Sequence, residues 1–173
     1  MARKPRQPAR PQPAIDSISE PSSDLAAVPP LVLGMRARIL GAVDAGDIEA
    51  LRPALEWNET PPVFARGQPP VTFATAIEFL KARSFDGKGK EILGLLAAIF
   101  EQPYARVRRS PTETWVWPAF AARQRPDISG EERLAMYRCS RFSNILLTND
   151  IGLPLIERVG IGADGTWHYF YAG

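Results

Sequence analysis

The chain has one histidine, His168, set between Trp167 and Tyr169 just past an Asp164-Gly165 pair. A histidine beside a carboxylate is the usual machinery of general acid–base catalysis, so a small hydrolase or isomerase could use His168 with a carboxylate. Catalysis would also need a nucleophile and an orienting group within hydrogen-bond reach. The same residues fit a hairpin. "GADG" suits a three-residue loop with Gly165 in a left-handed conformation. That register sets Ile161 against Trp167 and Val159 against Tyr169 on a core face, and puts Arg158, Gly160, His168 and Phe170 on the opposite face. A second candidate lies upstream. Arg106 and Arg108 alternate along "YARVRR", and Trp115 and Trp117 share a face of "TWVWPAF". Arginine stacked on tryptophan makes a recognition surface; the plain alternative is tryptophan packed into the core. The expected ligand-binding set is therefore Arg106, Arg108, Trp115, Trp117, Arg158, His168 and Phe170. His168 is the candidate if there is catalysis.

Other chemistries drop out. With one cysteine, Cys139, no intrachain disulfide can form, and a cysteine-based metal site is excluded. A zinc centre would need carboxylates for most of its ligands. No metal and no cofactor is expected. Arg138 and Arg141 flank Cys139 and would activate its thiol if they pointed at it; a buried structural cysteine is the preferred reading. "DGKGKE" is not a phosphate loop, because Gly87 and Gly89 are too close together and no hydroxyl follows. Nor is it a calcium loop, because Lys88 and Lys90 stand where carboxylates are needed. An anion at the helix start is the functional reading that survives, against a capped, flexible turn.

These residues must be positioned by a fold whose outline the periodicity shows. Val32, Met35, Ile39, Leu40 and Val43 form one face of a helix that Gly46 ends, and Asp47 caps the next helix, "IEALRPALEW". Thr75 and Glu78 have capping-box spacing for a third. After Asp86, the residues Ile92, Leu95, Leu96, Ile99 and Phe100 mark the strongest helix. The period then changes to two, with "YARVRR" and "TWVWPAF" joined through "SPTE", where Pro111 suits the second position of a type I turn. Ser129 and Glu132 cap a short helix, and the final hairpin follows a loop, "FSNILLTNDIGLP". The expected fold is α+β, with N-terminal helices packed on a small antiparallel sheet formed by two C-terminal hairpins.

Of the 173 residues, 1–30 hold seven of the 17 prolines and few large apolar side chains. This Pro/Arg-rich segment is expected to be a disordered tail, with a single α+β domain over 31–173. Arg3, Lys4, Arg6 and Arg10 carry four of the positive charges, so the formal net charge of +2 becomes −2 for the rest of the chain. Nucleic acid or an anionic membrane is thus a partner only through the tail. No apolar run reaches the length of about 20 residues that a membrane span needs. The basic start lacks an apolar region behind it, which predicts a cytoplasmic protein; an upstream start codon would leave export open.

The segments "SFDGKGKEIL", "TWVWPAF", "EERLAMYR" and "ERVGIGADGTWHYFYAG" together resemble an uncharacterised family of bacterial proteins with the same motifs in the same order, over roughly residues 34 to 173. Some similar proteins carry export signals, and the resemblance implies no chemistry. At fold level the order of helices and strands, ending in a DG-x-W hairpin, is similar to cystatin-like α+β domains, which implies a cone-shaped pocket. The expected function is a non-catalytic binding or interaction module that meets an unidentified protein or small molecule through an Arg/aromatic sheet face. The alternatives are the small pocket enzyme and the basic-tailed docking protein.

Overall fold

The computed structural model describes residues 14–66, 68–123, 128–144 and 155–172. The basic run at Arg3 to Arg10 and most of the loop before the last hairpin lie outside them. Helix α1 spans Pro30–Ala45, α2 Arg52–Glu56, α3 Phe73–Arg83, α4 Lys90–Phe100 and α5 Gly130–Arg138. Strands β1 (Ser17–Ile18), β2 (Ala105–Arg109), β3 (Thr112–Trp117), β4 (Glu157–Gly162) and β5 (Trp167–Ala172) form one antiparallel sheet in that order. The fold is α+β, with four helices before the two hairpins and α5 between them. No helix among the described residues is long and apolar enough to cross a membrane.

Local chemistry sets the helix limits. Pro30 stands at the start of α1, where its missing N–H would have had no partner. Gly46 ends that helix at φ 62°, donating its N–H to the Ala42 and Val43 carbonyls. Asp47 caps the following turn through the Glu49 N–H. Two caps differ from expectation. α3 is capped by Thr72, which exchanges bonds with Thr75, and this start lets Ala76, Ile77 and Leu80 reach the core. α4 starts after Gly89 rather than at Asp86. The Asp86 carboxylate accepts from the Lys88 and Gly89 N–H groups at 2.7 and 2.9 Å and from Ser84 Oγ at 2.8 Å. It thereby takes up the donors that an outside anion would have used. The hairpin loop expected from "SPTE" tightens to Ser110 and a cis Pro111, since Thr112 already pairs with Arg109.

Residues 14–30 depart from the disordered tail that their composition suggests. Ser17 and Ile18 pair with Arg108 and Val107, and Ser22 bridges to Tyr104. Tyr104 donates its hydroxyl to the Asp24 carbonyl at 2.9 Å, and Val28 is buried. Backbone bonds along the β2 edge order this stretch, and edge pairing leaves no periodic signature. The domain therefore extends at least to Ile15, which packs on the outer face of the sheet.

The inner face of the sheet carries Trp115, Trp117, Val159, Ile161, Trp167 and Phe170 into a core shared with α1, α3 and α4. Phe100 meets Trp117 edge-on, with ring centroids 5.4 Å apart. In the last hairpin Ile161 faces Trp167 as expected, but a bulge follows. Gly160 pairs with Tyr169 and Val159 with Phe170, leaving His168 as the extra residue. Tyr169 and Phe170 thus exchange faces relative to simple alternation: Phe170 enters the core and Tyr169 leaves it.

Candidate functional site

The bulge builds a cleft on the outer face. Beyond it, Tyr169 and Tyr171 both point outward, and so does Arg158, which pairs with Tyr171. The Tyr169 ring lies over Gly160, where an added Cβ would sit only 2.2 Å from Cζ. That close approach is why the strand needs glycine there. The loop after α2 supplies another wall. Val63 donates to the His168 carbonyl at 2.9 Å and accepts from the Phe170 N–H at 3.0 Å, so the loop runs alongside β5. It carries Arg66 to Tyr171, with Nε 3.1 Å from the hydroxyl and the guanidinium 5.2 Å from the ring centroid. β2 contributes Arg109. Val107, Val116, Ala121 and Ala122 complete the lining of a cavity of 160 Å³.

Charge is what sets this cleft apart. Arg66, Arg109 and Arg158 line it, and among the described residues no carboxylate does. Every ion pair among the described residues involves other cations. Arg109 Nε is buried without a hydrogen-bond partner, and Arg158 Nε reaches only the Ile156 carbonyl, at 3.4 Å. Burial pulls the Arg158 guanidinium below its usual range, partly offset by Tyr169 and Tyr171. Burial likewise pushes the Tyr169 phenol up to about 12, against the pull of the three arginines. Tyr169 therefore remains a neutral hydroxyl at physiological pH. Arg109 and Arg158 are half-buried and Arg66 is exposed; drawing half-buried cations together without a counter-charge is costly, and an anionic ligand relieves that cost.

Of the residues expected at a binding face, Arg158 alone lines this cleft. Trp115, Trp117 and Phe170 are buried in the inner core. Arg106 and Arg108 are exposed on the inner side near the β1 edge, and neither stacks on a tryptophan among the described residues. Arg106 flanks a surface hollow with Tyr104 and Trp115, and Arg108 flanks another with Glu113, Asp164 and His168.

That second hollow holds the residues of the expected acid–base chemistry, His168 and Asp164. The His168 and Asp164 side chains both lie on Gly162: a Cβ there would be 2.5 Å from His168 Nε2 and 2.8 Å from Asp164 Oδ1. Partial burial lowers the imidazole from its ordinary value, and Asp164 works in the other direction. The hydroxyl lining this hollow, on Thr112, donates to the Arg109 carbonyl at 2.8 Å, and the Asp164 carboxylate accepts from the Thr166 N–H at 2.9 Å. Asp164 acts on the imidazole through charge without a hydrogen bond to it, and no activated nucleophile lines the hollow among the described residues. Cys139 is fully buried, its thiol pushed up to about 12 by desolvation and donating to the Ala135 carbonyl. No cluster of metal-ligating side chains occurs among the described residues.

Glu157 is buried beside the core, bonded by Asn144 Nδ2 at 3.0 Å with Arg141 Nε at 3.5 Å. Desolvation raises its carboxyl above the ordinary range, with Arg141 and Arg83 opposing. A carboxyl raised on folding stabilises fully below its unfolded value of about 4.3, and that contribution is lost as pH rises through the folded value. Glu157→Gln should therefore gain melting temperature relative to the wild type as pH goes from 5 to 8. Thermal melts at both pH values check this. The opposite trend would show that the Arg141 attraction outweighs desolvation.

Sequence reasoning missed Arg66, Arg109, Tyr169 and Tyr171. Nothing local ties Arg66 to the last strand. A signal did exist for the tyrosines: Gly160 and Gly162 inside a strand are the usual mark of a bulge or a close approach. Comparison with protein-family models, with curated proteins and with solved structures returned no match.

Proposed function

We propose that this chain is a non-catalytic binding module that takes an anionic ligand in the Arg/Tyr cleft on the outer face of its sheet. The observation that carries this reading is the convergence of Arg66, Arg109 and Arg158 with no carboxylate partner among the described residues, one of them with a buried, unpaired Nε. A cleft built only for stability would pair these charges or replace them with alkyl groups. The Arg/aromatic recognition face expected from the sequence is thus assigned to the opposite side of the sheet from the tryptophans.

Thermal melts at matched ionic strength, with inorganic phosphate, sulfate or acetate against chloride, test the proposal. The wild type should be stabilised by at least one of these anions, as mass action requires of a ligand that binds the folded state. Arg158→Met should lose the response, yet melt no lower than the wild type without ligand, because it removes a half-buried charge that has no ion-pair partner among the described residues. Arg106→Met and Arg108→Met should keep the response. No anion effect in the wild type, or an equal effect in all variants, would overturn the reading.

A small pocket enzyme using His168 is the second reading, favoured by the placement of Asp164 beside the imidazole. It predicts turnover of a generic ester or phosphate that His168→Gln abolishes without unfolding the chain.

A further inference from the structure

We infer that the ligand of the outer cleft is a small phosphoryl dianion, either inorganic phosphate or a short-chain phosphate monoester. This inference rests on the anion-binding reading above and goes further, to the chemical class. The first argument is charge. Three guanidiniums line the cavity, with no acidic residue among its described lining residues. A monocarboxylate would leave two of them uncompensated; a phosphoryl dianion leaves one. The second argument is direction. The arginines come from three separate elements: Arg66 from the loop alongside β5, Arg109 from β2 and Arg158 from β4. A planar carboxylate is matched by one guanidinium fork, whereas a tetrahedral oxyanion offers oxygens on several sides.

The third argument is size and texture. The cavity of 160 Å³ is open to solvent on the outer face of the sheet. It has room for a phosphoryl group with a few carbons. Val107, Val116, Ala121 and Ala122 give one side an alkyl wall that suits a short carbon remainder. Among the described residues the lining has no carboxylate, imidazole, thiol or aliphatic hydroxyl to act as base or nucleophile, which suits a ligand that is held rather than turned over.

Isothermal titration of the full chain with methyl phosphate, inorganic phosphate, methyl sulfate and acetate tests this, at pH 5.0 and 7.5 and constant ionic strength. A phosphate monoester gains its second charge near pH 6. The lining side chains are arginines, tyrosines and alkyl groups, and arginine and phenol ordinarily titrate far above this interval. His168 lies in the other hollow, and Glu157 faces the core but acts electrostatically on Arg158; His168→Gln and Glu157→Gln serve as controls that should keep the same pH response. At pH 7.5 one of the two phosphoryl probes should bind at least tenfold more tightly than methyl sulfate and acetate. The tighter of the two identifies the source of the group. At pH 5.0 the advantage should shrink to about threefold or less, and Arg109→Met should lose it at both pH values. Methyl sulfate or acetate equalling the phosphoryl probes at pH 7.5 would overturn the phosphoryl assignment and leave the anion cleft standing. Failure of all four probes to bind the wild type would overturn both.

Discussion

Trp167→Ala should cost about 3–5 kcal/mol of stability, read as a lowered urea midpoint with an unchanged slope. The side chain is fully buried, packs edge-on against Phe64 at 5.5 Å and donates Nε1–H to the Tyr169 carbonyl at 3.1 Å. Its backbone is held as firmly. Asn58, itself buried, accepts from the Trp167 N–H at 3.0 Å and donates to the Trp167 carbonyl at 2.8 Å. Truncation therefore opens a cavity at a point where the surrounding chain cannot collapse to fill it. Trp57→Ala is the control. That ring is 48% exposed under the Arg38 guanidinium, and its loss should cost no more than about 1 kcal/mol. Equal losses at the two positions would show that Trp167 is not a core anchor.

Gly160→Ala should remove ligand binding while leaving most of the fold in place. The new methyl carbon would lie 2.2 Å from Tyr169 Cζ and 2.6 Å from Cε1, so the ring must swing out of the cleft. Overpacking of this kind costs about 1–3 kcal/mol. Affinity for the phosphoryl probes should fall at least tenfold, because the displaced ring disturbs the arginines beside it. Gly41→Ala, where the methyl meets nothing within 4 Å, should instead stabilise α1 by up to about 1 kcal/mol. Titration and melting of both variants separate the effects. Wild-type affinity in Gly160→Ala would show that the Tyr169 ring is not part of the cleft.

How much of this was legible in the sequence depended on the range of the interaction. The α4 stripe, the Gly46 stop and the Ser129–Glu132 capping box are matters of spacing within one or two turns, and the structure has all three. Trp167 was placed correctly because the turn at Gly165 fixes its partner Ile161. One residue later the bulge at His168 inverted the alternation, so Phe170 was assigned to a ligand face and Tyr169 to the core. Arg66 reaches Tyr171 across 105 positions of chain, and no periodicity encodes such a meeting. The tryptophans of "TWVWPAF" were offered for recognition because strand spacing shows which residues share a face, but not which face the helices cover.

The short pairings at the two margins of the sheet bear on how the protein behaves in a crowded solution. β1 lies along β2 for two residues, and Val63 engages β5 from the other side. Unpaired strand margins template polymerisation of like chains. Here one margin is blunted by a strand too short to recruit a partner, and the other is occupied by a loop rich in proline. Cutting the chain after residue 28 would bare β2, and the shortened chain should self-associate more than the full chain as its concentration rises, which light scattering of the two would read.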